Sequence, residues 1–211
     1  DVKALSTAQV AALSTDQVVA LTTAQVANLT TAQVAALGTA QIAAMETVDI
    51  RSLTTAQAAV LSTAQVVALT TSQIAALTTA DLRALSTADV AALSTDQIAA
   101  MSTSQLAALG INPNQVAALT TAQVVAMGTA GIAALTTAQI ANLTTADVAV
   151  MSTAQVVALS SSQVGALTTA QIAALSTDQV GAIETADIKA LTTAQAAALS
   201  TTQIGALKTD Q

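Results

Sequence analysis

The side chains able to do chemistry in this 211-residue chain are hydroxyls, carboxylates and five cations. A Ser or Thr nucleophile needs a base to take its proton, usually His, and thiol chemistry needs Cys; the chain has neither His nor Cys. Two neighbouring carboxylates can divide acid and base work between them if a desolvated cleft holds them. Three pairs have suitable spacing: Glu46 with Asp49, Glu184 with Asp187, and Asp81 with Asp89. The pattern around them puts these positions at the solvent, so no catalytic residue is expected and the chain does not read as an enzyme. Neither a Gly-rich phosphate loop nor an Asp-x-Asp-x-Asp-Gly calcium loop occurs. No cofactor, metal ion or small-molecule substrate is expected. Lys or Arg follows Asp by two residues at Asp1/Lys3, Asp49/Arg51, Asp81/Arg83 and Asp187/Lys189. Residues two apart do not face each other on a helix, so these pairs suit a contact with an adjacent element or scattered solubilising charge.

The elements that must hold these residues are written with a period of eight. Leu5, Leu13, Leu21, Leu29 and Leu37 open a series that runs through Met101, resumes at Ile111 and reaches Leu207. With that residue as position 1, position 2 is Ser, Thr or Asn in 21 of 26 octads and position 3 is Thr in 24 of 26. Position 5 is Gln or Asp except at Gly131, position 6 is Val, Ile, Leu or Ala, and position 8 is nearly always Ala. Charged residues fall only at positions 2, 4, 5 and 7.

One continuous helix does not fit this period. Eight residues at about 100° each drift by roughly 80° per octad, which winds the Leu and Val positions around the cylinder. Positions 2 to 5 instead spell Ser/Thr-x-x-Gln, a capping box, flanked by apolar residues at positions 1 and 6 that form a hydrophobic staple. The spacing therefore predicts a new short helix in every octad, over about positions 3 to 8. Ser6, Thr22, Thr70 and Thr120 are assigned as N-caps, and Leu13, Val18, Leu69, Ile74, Leu119 and Val124 as repeat core. Where position 2 is Gly38, Glu46, Gly128, Glu184 or Lys208, either the cap moves to the Thr at position 3 or that Thr packs between neighbours.

The rhythm breaks once, at LGINPNQVAAL, where Leu109 and Gly110 are extra. The same box returns in other letters: Asn112 as N-cap, Pro113 at the first helical position, where its missing N–H costs nothing, and Gln115 three residues after the cap. The expected organisation is an octapeptide-repeat solenoid over 1–108, a two-residue insertion at 109–110 that kinks or offsets it, and a solenoid over 111–211 continuous with the first. Gly110 sits where a helix end would take a left-handed residue.

Helices this short do not persist alone in water, so they must stack. The expected fold is all-α, an α-solenoid of about 26 short capped helices with two to four octads per superhelical turn; three would enclose a core of Leu and Val too narrow for rings, and the chain has no aromatic residue. Position 6 and the next position 1 form the inner face, positions 4 and 7 the outer face, and Ala at 8 with Thr at 3 the flanks. A β-solenoid is the rival, since Thr and Val favour strands, but Ala and Gln favour helix and turn dipeptides are absent.

A net charge of −7 argues against nucleic acid and anionic membranes, which require basic patches, and no apolar run reaches the roughly 18 residues of a membrane span. The chain begins and ends within a repeat, as a segment of a longer array would. Its LTTAQVAA-type octads resemble the octapeptide tracts of very large secreted, adhesin-like bacterial surface proteins, over everything except 109–110. That resemblance implies an extracellular or cell-surface structural role, a rigid rod or filament-forming spacer able to self-associate end to end or laterally, and it carries no functional residues. Residues 13–20 and 119–126 are also similar to the first helix of transcription-activator-like effector repeats, but the base-reading loop is missing and the chain is acidic. Asn28-Leu29-Thr30 and Asn142-Leu143-Thr144 match the N-glycosylation pattern, although both Asn sit where a helix ends. An alternative role is binding, with regular Thr rows or a groove meeting ice, glycan or a protein.

Overall fold

A computed structural model describes residues 2–109 and 113–211. Among these, one 3-10 turn (Val2–Ala4) and 25 short α-helices account for the regular structure, with no strand. Each α-helix has four to seven residues and nearly all start at position 3 of an octad, as in Thr31–Ala36, Thr39–Ala44 and Thr71–Ala76. The all-α repeat solenoid expected from the octad is the fold observed. The chain divides into two compact units, 1–109 and 110–211.

The corner between helices has a simple backbone cause. Position 1 and position 2 are both extended: Leu37 has φ −64° and ψ 138°, and Gly38 has φ −74° and ψ 160°. Two extended residues after one helix and before the next redirect the chain. The same dihedrals recur in nearly every octad, for example at Leu77 and Thr78, so the redirection repeats. The result, in each unit, is that a helix packs on the one three octads later. In the first unit Thr7–Ala11 packs on Thr31–Ala36, Thr15–Val19 on Thr39–Ala44, and Thr39–Ala44 on Thr63–Ala68. In the second, Thr121–Ala126 packs on Thr145–Val150 and Thr145–Val150 on Thr169–Ala174. Three octads therefore make one turn within each unit.

Positions 1 and 6 supply the core. Val18, Leu69, Ile74, Leu119 and Val124 are all buried, each such aliphatic side chain contributing about 1.5–3 kcal/mol relative to exposure. Leu13 departs from its assignment as core, since it is only half-buried. It belongs to the first described turn, over which no described turn packs, whereas Leu37, three octads on, is buried. Position 6 shows the opposite asymmetry. Val10 is fully buried in the first turn, while Ile204 in the last is 50% exposed, because the following turn is what covers it.

One octad breaks the corner. Gly128 has φ +64°, Met127 is helical at φ −61° and ψ −22°, and the helix begins at Gly128 itself. This is the octad whose position 5 is Gly131, so the third residue of the box cannot reach back to the cap.

Candidate functional site: a glutamine ladder between turns

Ser6, Thr22, Thr70 and Thr120 each cap a helix, and each cap is reciprocal. The Gln73 backbone N–H donates to Thr70 Oγ1 at 3.2 Å, and the Thr70 backbone N–H donates to Gln73 Oε1 at 2.8 Å. The same pair of bonds joins Ser6 to Gln9 at 3.2 and 2.8 Å, Thr22 to Gln25 at 3.3 and 2.7 Å, and Thr120 to Gln123 at 3.3 and 2.7 Å. At the insertion, Asn112 lies outside the described residues, as does Gly110. Pro113 opens the helix Pro113–Ala117, and Gln115 is buried in it. At three of the octads whose position 2 offers no cap, the cap does not slide: Gly38, Glu46 and Glu184 remain the N-cap residues without a side-chain bond, and Thr39, Thr47 and Thr185 are the first helical residues.

The cap uses only one end of the Gln amide. The other end reaches the preceding turn. Gln73 Nε2 donates to the carbonyls of Ile42 and Met45 at 2.9 and 2.7 Å. Gln33 does the same to Val2 and Leu5 at 2.9 and 2.7 Å, Gln65 to Val34 and Leu37 at 3.0 and 2.7 Å, and Gln171 to Ile140 and Leu143 at 2.9 and 2.7 Å. Position 1 is extended and outside the helix, so its carbonyl has no helical donor. The Gln of the next turn supplies one. Each such Gln is buried and ties three things together: its own helix start, the carbonyl end of a helix in the turn before, and the corner residue after that helix. Around the irregular octad the pattern changes as it should. Gln155 reaches Val124 at 2.9 Å and the Val125 carbonyl at 3.4 Å, because Met127 is helical and its carbonyl points elsewhere.

Asp at position 5 reverses the polarity of the rung. Asp89 Oδ2 accepts from the Ser86 N–H and hydroxyl at 2.9 and 2.6 Å, and its Oδ1 accepts from the Thr63 hydroxyl of the preceding turn at 2.7 Å. Ser161 donates to Asp187 Oδ1 in the same way at 2.6 Å. The carboxylates expected at the solvent are therefore corrected: Asp49, Asp81, Asp89 and Asp187 are buried, because position 5 folds back against the turn before, while Glu46 and Glu184 are exposed. Burial, reinforced by the charge of Glu46, raises the Asp49 carboxyl above the ordinary range. Asp81 and Asp89 bond to separate caps. Among the described residues no three His, Cys, Asp or Glu side chains converge as metal ligands, and no helix is long and apolar enough to cross a membrane.

The two Asn of the glycosylation pattern are held by their own helices. Asn28 Nδ2 donates to the Ala24 carbonyl at 2.8 Å and Asn142 Nδ2 to the Ala138 carbonyl at 2.7 Å. The outer face carries isolated apolar residues, Val48, Val67 and Val125 being about half exposed.

Sequence reasoning assigned Gln to the cap and missed its amide end. The signal was there: position 5 never holds Glu, though Glu closes a capping box as well as Gln does. Only an amide can accept from the cap and also donate to a carbonyl.

Short capped helices, stacked three octads apart and laced by side-chain amides, define an all-helical repeat protein. The octad itself says which kind. The pattern described as the ALTTAQ repeat matches residues 1–31, 20–47, 42–79, 75–111, 110–145, 140–177 and 180–211, and the chain belongs to that repeat family. No curated protein matches it.

Proposed function

We propose that the chain is a non-catalytic structural segment, a spacer whose length is set by its number of octads, within a larger secreted or cell-surface protein. The observation that carries this reading is where the polar side chains go. Hydroxyls at position 2 close caps, and amides at position 5 bind the turn before. Little is left over to converge on a substrate. The likeness to octapeptide tracts of secreted bacterial surface proteins supports the extracellular setting, and an acidic, cysteine-free surface suits it.

Contacts that recur every three octads make stability a sum of local terms. Any whole number of octads can then be removed without loss of register. Deleting residues 29–52, three octads, should leave a cooperatively folding chain with the same helicity per residue. Its maximum dimension in small-angle X-ray scattering should fall by about 8–10 Å, the separation of packed helices. A deletion of four residues at the same place should unfold the unit locally. Loss of structure after the three-octad deletion would overturn the spacer reading.

A further inference from the structure

Asp49 is 2% exposed, and among the described residues none donates a hydrogen bond to its carboxylate or pairs with it. The other position-5 acids are satisfied. Asp81, Asp89 and Asp147 accept the hydroxyls of their own caps at 2.5, 2.6 and 2.6 Å, and Asp187 accepts the Ser161 hydroxyl at 2.6 Å. The cap residue before Asp49 is Glu46, which brings a second negative charge in place of a hydroxyl. A buried carboxylate is ordinarily paired or bound to a cation. Arg51, the basic residue of the same octad, is exposed. The turn before supplies only oxygen. Helix Thr47–Ser52 packs on helix Thr23–Ala27, and Ser52 Oγ fixes the register, donating to the Thr23 and Asp49 carbonyls at 3.3 and 2.8 Å. Asp89 meets Thr63 and Asp187 meets Ser161 26 residues back; the residue in that place for Asp49 is Thr23. Gln73 donates 28 residues back, to the Met45 carbonyl; the carbonyl in that place for Asp49 is that of Leu21, and Asp49 has no nitrogen to offer it.

We propose that Asp49 and Glu46, with the Leu21 carbonyl and the Thr23 hydroxyl of the preceding turn, form a calcium site, in which the ion stands where the ladder amide stands in other octads. The four groups are hard oxygens of mixed kind, carboxylate, carbonyl and hydroxyl, the set that Ca²⁺ takes and completes with water to six or more ligands. Glu46 is exposed, so the site opens to solvent on its side and an ion can enter there. Asp is one methylene shorter than Gln, which leaves room between its oxygens and the carbonyl it cannot reach. Burial and the nearby Glu46 charge both disfavour the ionised Asp49, and a divalent cation relieves both. The bound ion joins one turn to the turn before, the work that Gln does elsewhere. The pattern Glu46-Thr47-Val48-Asp49 recurs as Glu184-Thr185-Ala186-Asp187, but there the Ser161 hydroxyl already occupies the carboxylate, so one ion per chain is expected. A chain that bound no calcium would still serve as a spacer, so the two readings fail separately.

Isothermal titration of the full chain with CaCl2 at pH 7 tests it, in about 150 mM NaCl so that diffuse attraction to the acidic surface is screened. The chain should bind one Ca²⁺ with a Kd of about 0.1–1 mM, the range of extracellular calcium modules. Its melting temperature should rise by about 2–4 °C in about 10 mM CaCl2. Asp49→Gln restores the residue that most octads carry at position 5, so it folds, and it should lose both the binding heat and the melting shift. Glu46→Gln removes the solvent-side carboxylate and should weaken binding about tenfold. Asp187→Gln should leave the calcium response as it is in the parent. A parent with neither heat nor melting shift up to about 10 mM CaCl2, an Asp49→Gln variant that responds like the parent, or a response that disappears with Asp187→Gln would each overturn the proposal.

Discussion

Gln73→Glu separates the two jobs of position 5. The substitution keeps an oxygen for the Thr70 N–H, now at 2.8 Å from Gln73 Oε1, and replaces the amide nitrogen by a second oxygen. That oxygen would face the Ile42 and Met45 carbonyls, which Nε2 now meets at 2.9 and 2.7 Å, at a site that is 1% exposed. An ionised carboxylate there has no donor to offer, so the native state holds it protonated. Protonating a Glu at pH 7 from an ordinary value of about 4.3 costs about 3–4 kcal/mol. One of the two carbonyl bonds is lost as well, at about 1 kcal/mol. The native loss is then about 4–5 kcal/mol at pH 7 and about 1 kcal/mol at pH 4. The sign follows from linkage: the native pKa of the new carboxyl is raised, so destabilisation is small below the unfolded value near 4.3 and grows as pH rises above it. Urea titrations followed by far-UV circular dichroism at pH 4 and pH 7, each against the parent, measure it. Gln25→Glu is the control, because Gln25 is exposed and its side chain bonds only within its own cap; its loss should stay below about 0.5 kcal/mol. Equal losses at positions 25 and 73, or a loss at position 73 that does not depend on pH, would refute the ladder as a source of stability.

Thr70→Ala removes the acceptor of the Gln73 N–H and should cost about 1 kcal/mol in the same denaturation assay. Asp49→Gln should stabilise by about 1–2 kcal/mol at pH 7, since the ladder spacing sets the new amide at the Val18 and Leu21 carbonyls. Asp49 is held above its ordinary pKa, so the parent loses stability as pH rises from about 4, and the advantage of the Gln variant should widen from pH 4 to pH 7. Gly128→Ala adds a methyl with nothing within 4 Å of it at φ +64°, so its expected loss of about 1–2 kcal/mol is backbone strain alone; an unchanged melting temperature would show that this corner relaxes freely.

What could be read from the octad was whatever one octad contains. The cap at Thr70 closes with Gln73, three residues away, and a pattern with a range of three residues is visible in a single line of sequence. So were the helix starts and the alternation of core at positions 1 and 6. The bond from Gln73 to Met45 spans 28 residues, and nothing inside one octad encodes that distance. It follows from the angle set by two extended residues, Leu37 with Gly38 or Leu77 with Thr78, and a small change in that angle would alter the number of octads per turn. Composition narrowed the answer to between two and four but could not choose.

The burial of the acids was misjudged for a related reason. A wheel drawn for one helix assigns position 5 by its own axis, and on that basis Asp81 and Asp89 face solvent. The turn before is the missing neighbour: it buries them and offers the Thr63 hydroxyl to Asp89 at 2.7 Å. Position 5 therefore satisfies two constraints at once, an acceptor for its own cap and a polar match for the turn behind. Gln meets both with one side chain. Asp meets the first and turns the second around, taking a hydroxyl where Gln gives an amide. Glu would meet the first and, with a longer reach, bring negative charge to the carbonyls. Its absence from all 26 octads is the trace that a 28-residue contact leaves in an eight-residue repeat.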